Sequence, residues 1–136
     1  MSFAILIASN AVFISLFLHA PHRHAMGPKQ VIIDRLKLSN EQVVAYESLI
    51  DQHRNETLAL KEEIMALEKM LFSSLANNDH SFQQSALAQI GELNRSAANV
   101  SLTHFQNIRN LCNPSQRLLF DELAPQLSEI FSNRSK

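Results

Sequence analysis

SNEQVVAYESLIDQHRNETLALKEEIMALEKMLFSSLANNDHSFQQSALAQIGELNRSAANVSLTHFQNIRNLC, the stretch from Ser39 to Cys112, decides the fold. Ser39 with Gln42 three residues on is a capping box, so a helix is predicted from Asn40. No Gly or Pro interrupts the chain until Gly91. Tyr46, Ile50, Thr57, Leu60, Ile64, Leu67 and Leu71 recur at alternating steps of four and three, with His53 filling the gap between Ile50 and Thr57. That is the period of a narrow heptad seam, not of a broad core-facing stripe. Glu47, Asp51, Arg54, Glu56, Lys61, Glu62, Glu63, Glu68 and Lys69 fall on the faces between, where charge belongs in water. Asn77-Asn78-Asp79-His80 favours a turn, which stops the helix near Ala76.

Ser81 and Gln84 read as a second capping box that opens a second long helix, over about 82–111. Its stripe is Ala86, Ile90, Leu93, Ala97, Val100, His104, Asn107 and Leu111, with Ile108 as the alternative to Asn107. Gly91 inside it costs about 1 kcal/mol against Ala. Folding the chain back at Asn78-Asp79 sets Leu71 opposite Ala86, Leu67 opposite Ile90, Ile64 opposite Leu93, Leu60 opposite Ala97 and Thr57 opposite Val100. His53 then faces His104, whereas a slip of half a heptad sets it near Ser101 or Ile108. Helices of this length make a hairpin about 50 Å long. Two helices alone leave half of each wet, so the terminal helices or a second copy must complete the core.

The remaining composition fits this picture. The chain has 136 residues, a formal net charge of −1, two Gly, four Pro and no Trp, so one all-helical domain with a tail is expected. No basic stripe with interleaved aromatics points to nucleic acid. A single cysteine, Cys112, excludes an internal disulfide. No nucleophile elbow, Gly-rich phosphate loop or His-Glu-x-x-His occurs, and an enzyme is not expected.

The flanks complete the expected organisation. Phe3 to Leu18 is apolar apart from Ser9, Asn10 and Ser15, and residues 1–20 read as a transmembrane anchor. A cleaved signal peptide and a buried soluble helix are the rival readings; the first lacks a basic n-region and a clear cleavage site. Residues 21–28 form a linker. His19 just before it and His22, His24 and Met26 within it suit copper, nickel or zinc, or are chance residues of a flexible segment. The helical domain then spans 29–132, with helices expected over about 29–37, 40–76, 82–111 and 114–131 and a tail over 133–136. Asn113, Pro114 and Gln116 repeat the helix-start signal, and Pro125 is expected to kink or break the last helix. Arg23, Lys29, Arg35 and Lys37 follow the anchor, so the positive-inside rule alone would keep the hairpin in the cytoplasm.

Two helix starts of the form Leu-Ser/Thr-x-x-Gln flank the hairpin. The first is Leu38-Ser39-Asn40-Glu41-Gln42. The second, degenerate, is Cys112-Asn113-Pro114-Ser115-Gln116, followed by Arg117, Phe120 and Leu123 and preceded by His104-Phe105. In these features the chain resembles the Spy/CpxP family of periplasmic proteins with LTxxQ motifs. Ser9 and Asn10 inside the anchor bring it nearest to the membrane-anchored, CnrX-like heavy-metal sensors. The resemblance implies a four-helix periplasmic domain on a single-pass inner-membrane anchor, dimerising through its hairpins. Such domains sense metal and report to a membrane-bound signalling protein, or shield unfolded clients as ATP-independent chaperones. CnrX-like sensors place histidines on the short helix before the first motif, where Lys29 to Lys37 has none. They also pair a His with a Met one turn on, and here His104 is followed by Ile108.

Three readings of His53 and His104 stay open: a shared zinc, nickel or copper ion, a proton switch near pH 6, or a hydrogen-bonded pair at the mouth of the hairpin. Cys112 is either a small buried apolar residue or, near Arg109, an activated or intermolecularly paired thiol. The functional expectation is a membrane-anchored periplasmic sensor or modulator of metal or envelope stress. A Spy-like chaperone and a cytoplasmic coiled-coil adaptor are the alternatives.

Overall fold

The computed structural model describes residues 27–132. The expected anchor over residues 1–20, most of the linker, with His22, His24 and Met26, and the tail lie outside them. Among the described residues no helix is long and apolar enough to cross a membrane.

The described chain is all-helical. Helix α1 (Pro28–Leu36) leads through Lys37 to α2 (Asn40–Ser73), a 3-10 turn (Ser74–Asn77), α3 (His80–Leu111), α4 (Pro114–Leu123), a second 3-10 turn (Ala124–Gln126) and α5 (Leu127–Ser132). Helices α2 and α3 pack along their length as an antiparallel hairpin, and α1 packs against α4. The reversal lies at Asn78, whose φ of 54° is left-handed, a conformation Asn tolerates better than most residues. The cap of α3 is not the expected one. Asp79, not Ser81, accepts the Phe82 backbone N–H at 3.0 Å, so α3 starts at His80. An Asp directly after the turn caps the first free N–H groups before Ser81 is reached. The first long helix also ends earlier than Ala76, at Ser73, because the chain tightens into the 3-10 turn. The expected last helix is two: the ring of Pro125 breaks it into α4 and α5.

The seam follows the heptad pattern. From Asp51 to Phe72, His53, Thr57, Leu60, Ile64, Leu67 and Leu71 are half-buried, and every residue between them is exposed. On α3, Ala86 and His104 are buried and Ile90, Leu93, Ala97 and Val100 half-buried. In the last turn Ile108, not Asn107, reaches the core.

The core itself lies at the open end of the hairpin. Ile32 and Leu36 of α1, Tyr46, Ile108, Cys112, and Phe120 and Leu123 of α4 form one buried cluster. Burying each of its large aliphatics contributes about 1.5–3 kcal/mol. Toward the tip only the small Ser74 and Ala86 are buried. The molecule is therefore a head carrying a two-helix arm.

The two motifs lock the head. Ser39 and Asn113 each close a capping box with Gln42 and Gln116. The two glutamine amides also meet face to face: each Nε2 donates to the other's Oε1, at 2.8 and 2.9 Å. Gln42 Nε2 further donates to the Leu111 carbonyl at 2.8 Å, and Gln116 Nε2 to the Lys37 carbonyl at 3.0 Å. Each Oε1 accepts its own cap's backbone N–H at 2.9 Å. All four sites of each amide are filled.

Two predictions follow from this packing. Gln42→Ala and Gln116→Ala each destabilise the fold by about 1–3 kcal/mol in urea unfolding, because each strands the other amide. The double variant costs less than the sum of the two, with a coupling of about 0.5–3 kcal/mol. Conversely, a Cβ on Gly91 meets nothing within 4 Å. Gly91→Ala therefore stabilises α3 by about 1 kcal/mol, a rise in thermal midpoint of about 4–8 °C.

Candidate functional site

His53 and His104 meet where the arm joins the head. Both occupy seam positions, so the register that pairs the stripes also pairs the imidazoles. Their ring centroids are 4.6 Å apart at an interplanar angle of 33°. His53 also takes the contact expected of the slipped register: its Nε2 lies 3.2 Å from Ser101 Oγ. One turn of α3 separates Ser101 from His104, and the His53 side chain spans both. Thr57 is held by its hydroxyl, which donates to the His53 carbonyl at 2.7 Å.

His104 is 8 % exposed, and its Nδ1 is buried with no hydrogen-bond partner. A buried unsatisfied ring nitrogen is uncommon and calls for an explanation. On one side of the pair a pocket of about 20 Å3, between Gln52, Glu56, Thr103 and Asn107, has room for about one water molecule. On the other a cleft of about 180 Å3 opens between Pro28, Tyr46, Ser101, Phe105 and Phe131. Aromatic rings lead from the pair into the head. Tyr46 lies 6.4 Å from His104, and Phe105 stands edge-on to both His104 and Phe131 at 5.3 Å. Phe105 and Phe131 lie outside the heptad pattern, and sequence periodicity did not single them out.

The surroundings disfavour protonation of both rings. Burial, then the neighbouring His53, pushes the His104 pKa from the ordinary 6.5 to about 4, and the nearby Leu49 backbone opposes them. Burial lowers that of His53 as well, and Glu56 opposes it. Glu47 is engaged by Lys29 in an ion pair that ties α1 to α2. Glu56 accepts from Gln52 at 2.8 Å.

The pair offers a metal two imidazoles. Among the described residues no group of three or more His, Cys, Asp or Glu could hold an ion. The rings meet as tilted faces rather than converging edge-on, and His53 Nε2 is already engaged by Ser101.

Cys112 is buried in the head, where burial raises its thiol pKa against the pull of Arg117 and Arg109. Its Sγ donates to the Ile108 carbonyl at 3.4 Å. The alternative, activation by Arg109, fails for a geometric reason: Arg109 is held by the Asp121 carboxylate, at 2.8 and 3.1 Å. Cys112 is a core residue.

No family model matches the chain, and neither a curated protein nor a solved structure matches it.

The sign of the pH dependence follows from the histidines. The unfolded chain takes up protons near pH 6.5, and folded His104 only near 4. The stability held by neutral His104 is thus complete above pH 6.5 and is lost as pH falls toward 4. The thermal midpoint of the full chain is expected to drop between pH 6.5 and 5, and His104→Gln to flatten that slope. Carboxylates contribute little in this range. A slope unchanged in His104→Gln refutes the assignment.

Proposed function

We propose that this chain is a membrane-anchored periplasmic sensor or modulator of metal or envelope stress that acts through a membrane-bound signalling partner. The supporting observation is the histidine pair at the joint between head and arm, His53 half-buried and His104 buried with an unpartnered ring nitrogen. A group that changes charge or ligation there acts on both parts at once. The hairpin offers no catalytic constellation in its sequence, so its output is a change of shape or contact. The LTxxQ-like motifs and the apolar N-terminal stretch support the periplasmic, anchored placement by resemblance.

If metal is the stimulus, His53 and His104 would supply imidazole nitrogens, which suit zinc, nickel or copper. Water or the linker residues His22, His24 and Met26 would complete the ligand set.

A second reading has its own support. Leu58, Met65, Met70, Phe72, Leu75, Leu87 and Leu102 are more than half exposed along the arm. Such an arm suits an ATP-independent chaperone that shields unfolded clients.

Calorimetric titration of the full chain with zinc, nickel and copper distinguishes these readings. The comparison chains are His53→Ala/His104→Ala and His22→Ala/His24→Ala/Met26→Ala. The sensor reading expects binding that the seam double variant abolishes. Binding lost only in the linker variant moves the metal site out of the hairpin. No binding to any chain, together with suppressed aggregation of an unfolding client without ATP or metal, replaces the sensor with the chaperone.

A further inference from the structure

We infer that the cleft between Tyr46, Ile50, Ser101, Phe105 and Phe131 binds a small neutral phenol, one aromatic ring whose hydroxyl donates to Ser101. The cleft lies across the histidine pair from the polar pocket at Gln52 and Glu56. It needs no metal, so this binding does not rest on the sensing role.

Size sets the first limit. The cleft has a volume of about 180 Å3. A closed apolar cavity of about 150 Å3 takes up one benzene, whereas drug-sized ligands occupy about 300–1,000 Å3. One ring with one small substituent fits.

The walls set the second. Pro28 of α1, Tyr46 and Ile50 of α2, Phe105 of α3 and Phe131 of α5 make them mostly apolar. The same volume of liquid holds about six water molecules, and each water inside a protein needs about two to four polar partners. The few polar groups here cannot serve them all, and two of these groups, His53 and Ser101, already bond each other. Loosely held water yields to an apolar group with a gain in affinity. A flat ring suits these walls better than an alkyl group. Phe105 and Phe131 already meet edge-on at 5.3 Å, and aromatic rings attract one another beyond the area they bury.

Charge sets the third. Lys29, the charged side chain that lines the cleft, is engaged by Glu47. Burial holds both imidazoles below their ordinary pKa, so at neutral pH they offer an anion no charge. Among the described residues no carboxylate lines the cleft to receive a cation. An ion of either sign would leave water without a partner, at a cost that a neutral ligand avoids.

The hydroxyl answers Ser101. Its Oγ makes one hydrogen bond, with His53 Nε2 at 3.2 Å. A hydroxyl donates once and accepts twice. Whichever partner carries the proton between them, Oγ keeps an acceptor site, and a phenol O–H fills it. The bound ring then touches α1, α2, α3 and α5 together, and ties α5 to the base of the arm.

The test titrates the full chain with phenol at pH 7 in non-ionic detergent, followed by NMR. Phenol is expected to bind with a Kd on the order of 1 mM, far short of the ceiling for so small a ligand. Its ring protons should show nuclear Overhauser contacts to Phe105 and Phe131. Ser101→Ala should weaken binding about fivefold, the loss of one hydrogen bond. Ser101→Leu fills the cleft and should abolish binding with helicity unchanged by circular dichroism. If that variant loses its helicity, the ring contacts and Ser101→Ala decide. Using the same detergent for every chain cancels the share of phenol that the micelles take up. Benzoate and tetramethylammonium should not displace phenol. Missing ring contacts, a Ser101→Ala chain or a folded Ser101→Leu chain that binds as tightly as the unsubstituted one, or displacement by either ion overturns the proposal.

Discussion

Everything in the head is referred to one contact, the paired amides of Gln42 and Gln116. A primary amide carries two donors and two acceptor sites, and burial leaves each open site costly. Here the second site of each group goes to a helix end: the Oε1 atoms to the caps of α2 and α4, the Nε2 atoms to the carbonyls of Leu111 and Lys37. Two helix starts and the chain leaving two other helices are thereby tied to one point. The arrangement has a local two-fold character, because each motif does for the other half what the other does for it. Removing either amide leaves four hydrogen-bonding groups short of a partner.

The same contact sets the register of the hairpin. With Gln42 held on the Leu111 carbonyl, Tyr46 one turn along α2 falls beside Ile108 one turn back along α3, and both are buried. Two further turns bring His53 to Ser101 and His104. Beyond that the arm depends on its seam alone. Half-buried Leu, Ile and Val side chains exclude less water than the closed core, so stability is unevenly distributed, highest around the amides and lowest toward the tip.

Much of this was legible in the sequence because helices write their packing as period. Alternating steps of four and three picked out every half-buried residue of α2 between His53 and Leu71, and the capping boxes at Ser39 and Asn113 are as expected. What failed was local competition. Ser81 satisfies the cap pattern, yet Asp79 precedes it and takes the role; Asn107 continues the seam by count, yet α3 turns Ile108 inward where the head closes over it. Contacts across the chain left no local signal. Nothing in one motif says that its glutamine will meet the other 74 residues away. The histidine pairing was an inference from the turn position, and its geometry, tilted faces with His53 shared by Ser101, could only come from the structure.

That geometry bears on what the histidines are for. An Ile or Leu at either position would have continued the seam at no electrostatic cost. Two imidazoles in face contact instead oppose each other's protonation, and the charge of His53 is among the causes that hold His104 low. The pair titrates as a coupled unit, with the first proton discouraging the second. Its neighbours make the outcome non-local. His104 touches Tyr46, a core residue, and Phe105, which stands against Phe131 of α5. Charging this unit sets a desolvated cation against the seam on one side and an aromatic chain on the other. Its relief requires more water than the small pocket at Gln52 and Glu56 holds, and widening the cleft at Phe105 loosens Phe131 or parts α2 from α3. Either movement changes how the arm is carried by the head.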